Sequence, residues 1–160
     1  MIELLQVTAE PLISEAKALF QEYATSLSFD LCFQGFDSEV DGLPGLYVPP
    51  RGLLLLAHSE GRPCGCGAFR PLATDVCEMK RVYVRPAARG LGIGRMLARS
   101  LIAGARERGY RTMKLDTIET MAQAIALYRS LGFQETDPYT SNPIPGARFF
   151  ALSLQDDVSG

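Results

Sequence analysis

The order of apolar patterns along the chain predicts an α+β (mixed α/β) fold: one central mixed sheet, mostly antiparallel, flanked by helices. Three observations point there. Two apolar runs flank Ser59-Glu60-Gly61-Arg62-Pro63, which reads as a hairpin turn and therefore an antiparallel pair. A helical pattern separates the strand at 76–84 from the strand at 112–117, which calls for a crossover. No apolar run approaches the ~18 residues of a membrane span.

The elements follow in order. Ile2 to Val7 reads as a short strand. Thr8 is placed to cap a helix in which Ile13, Ala16, Phe20, Tyr23 and Leu27 recur at helical spacing. Residues 28–50 read as irregular or helical, with Phe29, Phe33 and Phe36 among Asp30, Asp37, Glu39 and Asp41. Leu53 to His58 is a nearly continuous apolar strand, and Cys64 to Pro71 is its hairpin partner. Val76 to Val84 is the next strand. The helix from about Gly92 to Arg108 repeats Ile93, Leu97, Leu101 and Ala105 every four residues, a single apolar stripe. Thr112 to Thr117 alternates as a strand. Thr120-Met121-Ala122-Gln123 reads as a capping box opening a short helix that Gly132 closes. Phe133 starts a strand, a loop spans 137–146, and Arg148 to Leu154 is the final strand.

With 160 residues the chain is expected to form a single domain over 1–160, its tail at 156–160 frayed. Hydrophobic residues at 47% and charged residues at 21% are globular values. The start, Met1-Ile2-Glu3-Leu4, lacks the basic and apolar regions of a signal peptide, so the cytoplasm is the expected location. Cys32, Cys64, Cys66 and Cys77 include no C-x-x-C pair, and His58 is the one histidine. The expectation is reduced cysteines in strands, no metal, and His58 as a strand-end residue.

The net charge of −2 conceals an asymmetry. Residues 80–111 hold nine Lys and Arg against one acid, Glu107, while the rest of the chain is strongly acidic. A basic block of this kind suits a polyanionic ligand. The acidic remainder argues against nucleic acid, whose phosphates it would repel.

The block surrounds Val82-Tyr83-Val84-Arg85-Pro86-Ala87-Ala88-Arg89-Gly90-Leu91-Gly92-Ile93-Gly94-Arg95, a strand, a proline turn and a glycine-rich approach to a helix. Glycines let the backbone come close to a ligand. The free N–H groups of a helix's first turn and its partial positive charge then hold phosphate. Gly90, Gly92 and Gly94 run G-x-G-x-G, which misses the G-x-G-x-x-G of dinucleotide-binding folds, and no Gly-Lys-Ser/Thr of a P-loop follows.

This segment resembles the R/Q-x-x-G-x-G/A motif of the Gcn5-related N-acetyltransferases (GNAT), with Arg89, Gly92 and Gly94 at the fixed positions. A second stretch, Ala124-x-x-Leu127-Tyr128-x-x-Leu131-Gly132-Phe133, looks like that family's second motif, and the element order matches from residue 2 to about 154. The resemblance implies the acyl-CoA N-acyltransferase (GNAT) fold and acetyl-CoA as co-substrate. It also implies direct transfer of the acetyl group to an amine. Val82, Tyr83, Val84, Arg89, Gly90, Leu91, Gly92, Ile93, Gly94 and Arg95 are then the cofactor-binding residues, the strand bonding the pantetheine arm and the loop amides the pyrophosphate. Homodimers are common in the family.

The reaction needs a base and an acid. Glu78 is the candidate base. It sits in an otherwise apolar or basic strand, eleven residues before Arg89, where the family's histone-type members place their glutamate. A structural salt bridge is the alternative, and other members use water chains. The second motif offers Tyr128 as the acid that reprotonates the thiolate, against a plain packing role. The family's asparagine seven residues before this tyrosine is Met121 here, so that cofactor contact is absent or supplied elsewhere. For the acceptor, acids among aromatics suit a cationic amine, and Phe33, Tyr139 and Asn142 are candidates. Arg70 would instead anchor a carboxylate and favour an amino acid. A small-molecule amine is the expected partner. A protein amine, or a non-catalytic acyl-CoA-binding module on the same fold, are the other readings.

Overall fold

The computed structural model of the chain describes residues 1–27 and 35–155. Seven strands form one sheet: β1 (Ile2–Gln6), β2 (Leu53–Ser59), β3 (Arg62–Pro71), β4 (Val76–Val84), β5 (Thr112–Ile118), β6 (Gln134–Thr136) and β7 (Ala147–Ser153). Their spatial order is β1-β2-β3-β4-β5-β7-β6. Every neighbouring pair is antiparallel except β4 and β5, which run parallel. A parallel pair needs a crossover, and α3 (Ile93–Glu107) supplies it. Among the described residues the other α-helices are α1 (Leu12–Ser26), α2 (Phe36–Asp41) and α4 (Ala122–Ser130). None of the described helices is long and apolar enough to cross a membrane.

The sheet is covered on both faces, which explains the unbroken apolar run of β2. Leu53, Leu55 and Ala57 pack with the α3 stripe on one side. Leu54 and Leu56 pack with Ala16, Leu19 and Phe20 of α1 on the other. Ile93, Leu97, Leu101 and Ala105 are all buried, as their spacing requires. The close seating of α3 depends on Gly104, where a Cβ would meet Leu53 Cδ2 at 2.8 Å.

Two local expectations are corrected. α1 starts at Leu12, after Pro11, and Thr8 does not cap it. Glu10 instead accepts the backbone N–H of Ser14 at 2.8 Å and its hydroxyl at 2.9 Å. Pro11 has no N–H to offer the first turn, so the helix frame begins beyond it. In α4 the N-cap position falls on Met121, one residue after Thr120, and no side chain caps it. The capping box is therefore out of frame, and Gln123 faces a groove. Residues 36–41 form α2, which buries Phe36 and Val40 in the α1-side core.

The feature that positions the site is a break in the sheet. β4 and β5 pair over only three residues, ending at Glu78 with Lys114. Beyond that, β5 pairs only with β7 and β4 only with β3. β4 also carries a bulge: Cys66 pairs with Tyr83 and Ala68 with Lys80, so β4 has one extra residue. Arg81 takes it up with a φ of 61°. The bulge resets the alternation, so Glu78, Lys80, Arg81 and Tyr83 all serve the α1 side, while Val82 and Val84 pack toward α3.

Candidate active site

Two cavities flank the break. The first is a groove of about 320 Å³ lined by Val82, Tyr83, Val84, Arg89, Gly90, Gly92, Ile93, Gly94 and Arg95, with Gln123, Ala124, Leu127 and Tyr128 opposite. Nine of the ten cofactor candidates thus face one groove. Leu91 does not line it, and its side chain is 62% exposed.

The groove's chemistry is that of an anion cradle. Gly90 and Gly92 have φ of 86° and 78°, values L side chains resist, and nothing lies within 4 Å of a Cβ built at either. The chain then enters α3 with no side-chain cap and no acid in the first turn. Met96 N–H is bonded to Gly92 O, which leaves the amides of Ile93, Gly94 and Arg95 as the helix's unpaired donors. Arg89 folds back, its Nε donating to Val84 O at 3.0 Å, and so pins the loop to the strand. Arg85 N–H bonds Cys64 O on the β3 side at 2.8 Å. Alternation then turns the amide edges of Val84 and Val82 toward the break.

The second cavity is a small cleft of about 60 Å³ in the break itself. Tyr23, Lys80, Arg81, Asp116 and Asn142 line it on the α1 side, and Met121, Ala124 and Tyr128 on the other. The groove and the cleft share Val82, Ala124 and Tyr128. Tyr128 therefore stands where the two meet. It is 9% exposed, its ring edge-on to Phe133 at 5.8 Å. Burial disfavours the phenolate and raises its pKa well above the ordinary tyrosine value.

Glu78 lies elsewhere. It is 2% exposed and lines neither cavity. Its Oε1 accepts Arg70 Nε at 3.1 Å, with Arg70 Nη2 also at 3.1 Å. Its Oε2 accepts the Tyr139 hydroxyl at 2.7 Å. Two acceptor-side candidates, Arg70 and Tyr139, are thus committed to a third. Arg70 also borders a separate pocket of about 270 Å³ beside α2. Of the acceptor-side candidates, Asn142 lines the cleft, its Nδ2 donating to Asp116 Oδ2 at 3.1 Å. Phe33 falls outside the described residues.

Lys80, Arg81 and Asp116 are cleft residues that sequence reasoning passed over. Arg81 is paired twice with Glu39, at 2.8 and 3.0 Å. That pairing, with its position over the Phe36 ring, offsets the strained backbone of the bulge. Asp116 sits on the polar side of β5's alternation, a visible but common pattern. His58 is held by Glu15 at 2.7 Å, near the end of β2. Cys64 donates to Ala57 O and Cys66 to Arg81 O, so the two thiols are not turned to one point.

A groove with a glycine-rich anion cradle, adjoining a polar cleft where two parallel strands part, fits the acyl-CoA N-acyltransferase (GNAT) fold. The comparisons agree. The sequence profile of the Acetyltransferase (GNAT) family matches residues 13–133, and the chain belongs to that family. It is 41% identical over 144 residues to an uncharacterized N-acetyltransferase of Schizosaccharomyces pombe, covering 89% of this chain and 88% of that one. A GNAT-family acetyltransferase from Staphylococcus aureus superimposes with a TM-score of 0.78 at 20% identity, over 97% of this chain and all of that one (100%). A Salmonella typhimurium protein solved with its cofactor acetyl-CoA gives a TM-score of 0.71 at 19% identity, over 98% and 95%.

Proposed function

We propose that this protein transfers the acetyl group of acetyl-CoA directly to a primary amine of a small molecule. The observation that carries this reading is that a groove suited to the cofactor and a cleft suited to the acceptor share Val82, Ala124 and Tyr128 in their walls. The presence of acetyl-CoA in a structural neighbour supports the choice of cofactor.

The first-turn amides of α3 hold the pyrophosphate, with Arg89 and Arg95 adding charge at the groove's rim. The inner edges of Val82 and Val84 bond the pantetheine arm. Acetyl-CoA, when bound, supplies a thioester whose carbon the amine attacks. Asp116 takes the proton that the incoming ammonium must lose. Tyr128 donates its hydroxyl proton to the departing sulfur as the C–S bond breaks, and the second proton that the nitrogen sheds as the amide forms returns to the phenolate. A buried phenol that stays protonated through the neutral range is suited to that task. Glu78 acts here as the carboxylate that ties Arg70 of β3 to Tyr139 in the loop after β6, rather than as the base.

The test is a thermal-shift titration with acetyl-CoA followed by thiol release across a panel of amines. Stabilisation with amine-dependent thiol release is the expected result. Stabilisation with no release from any amine, free amino acid or peptide acceptor points to an acyl-CoA-binding module. No stabilisation at millimolar cofactor removes both.

A further inference from the structure

The cleft holds a charge that the transfer reaction does not use. The Lys80 side chain is 4% exposed, and its nearest anion, Glu78 Oε1, lies at 3.8 Å. That exceeds hydrogen-bond length. Glu78 is already engaged by Arg70 on one oxygen and Tyr139 on the other. Arg81, the neighbouring cation, is satisfied by Glu39. Among the described residues, then, the Lys80 side chain is buried while its ammonium, with three donors, makes no hydrogen bond, on the β4 wall of the cleft. Burying such a group without an acceptor is costly. Desolvation lowers its pKa, with Glu78 opposing only in part. On the facing β5 wall stands Asp116, the one carboxylate among the residues lining this cleft.

We propose that the acceptor is a free amino acid, its carboxylate bound by Lys80 and its amino group presented to Asp116. The proposal deepens the acetyltransferase reading and rests on it, since it takes the cleft to be the acceptor site. A cation on one wall and an anion on the other complement a zwitterion. They do not complement a plain amine, which leaves Lys80 without a hydrogen-bonded anion. They also disfavour a peptide N-terminus, whose first carboxyl group is tied up in an amide. Lys80 is thus a specificity residue, selecting acceptors by a group that takes no part in the bond change.

The experiment measures thiol release from acetyl-CoA with matched triplets: glycine, serine, methionine, phenylalanine and glutamate, each beside its carboxamide and its decarboxylated amine. The expected result is a kcat/KM for at least one amino acid about 10-fold or more above its amide and amine, since a site built to pair a group discriminates against its loss. Lys80→Met should erase that ratio through KM. Amides or amines turned over as well as the acids overturn the amino-acid class and leave the acetyltransferase reading standing. No release from any triplet overturns the class as well, and the acetyl-CoA thermal shift then reports separately on the cofactor half. Should Lys80→Met fail to fold, the wild-type ratios alone decide.

Discussion

Tyr139 donates its hydroxyl to Glu78 Oε2 at 2.7 Å, joining the loop after β6 to the middle of β4. With Arg70 on the other oxygen, the carboxylate is enclosed from both sides. Both burial and the adjacent Glu78 charge raise the Tyr139 pKa far above its ordinary value. Glu78→Gln should therefore cost stability, on the order of 3 kcal/mol, because it leaves the charges of Arg70 and Lys80 uncompensated. Urea denaturation measures the loss. The shape of the pH–rate profile should not change. A displaced acidic limb would make Glu78 the base after all.

Tyr128→Phe keeps the ring against Phe133 and removes only the hydroxyl at the junction. If that hydroxyl protonates the leaving sulfur, kcat falls by about 100-fold or more. Acetyl-CoA affinity, measured by calorimetry, should hardly move. Unaltered turnover would dismiss the acid role.

Gly92 combines a φ of 78° with empty space around its missing Cβ. Gly92→Ala thus meets no neighbour, and its whole penalty is backbone strain, about 1–2 kcal/mol. The loop is expected to relax away from the geometry that aims the α3 amides, raising the KM for acetyl-CoA about 10-fold. Gly92→Asn, which tolerates the left-handed region better, should lose less. Equal losses in both variants would point to a side-chain clash with the cofactor instead.

Burial pushes the thiols of Cys66 and Cys77 up to about 12 each, from an ordinary value of 9.0. The folded state then keeps protons that the unfolded chain gives up, so these groups stabilise the fold fully below pH 9. That contribution drains away as pH rises from 9 toward 12. Each thiol should steepen the decline by about 1.4 kcal/mol per pH unit in that window. Denaturation at pH 8, 9.5 and 10.5 measures it. The Cys66→Ala, Cys77→Ala double variant should show a shallower decline than the wild type.

The two halves of the site were unequally legible before the structure. The cofactor half lies within fourteen consecutive residues, Val82 to Arg95. Its chemistry is local: glycines where φ is positive, and free amides at a helix start. Only Leu91 failed to face the groove, because side-chain direction in a loop depends on its final path. The acceptor half was less legible for the opposite reason. Glu78, Arg70 and Tyr139 each looked functional alone, and packing turned them toward one another.

Local pattern alone determined that this chain forms a mixed sheet with α3 crossing between two parallel strands, and that a glycine-rich loop leads into the free amides at the start of α3. Periodicity and glycine placement act over a few residues and need no distant partner. Only the tertiary structure decided that β4 and β5 part after Glu78 and Lys114, so that Lys80 and Asp116, two residues further along each strand, line one cleft. Those two residues lie on different strands, and no local preference brings them together. Their meeting depends on strand pairing and its early end, which arise from the packing of both sheet faces at once.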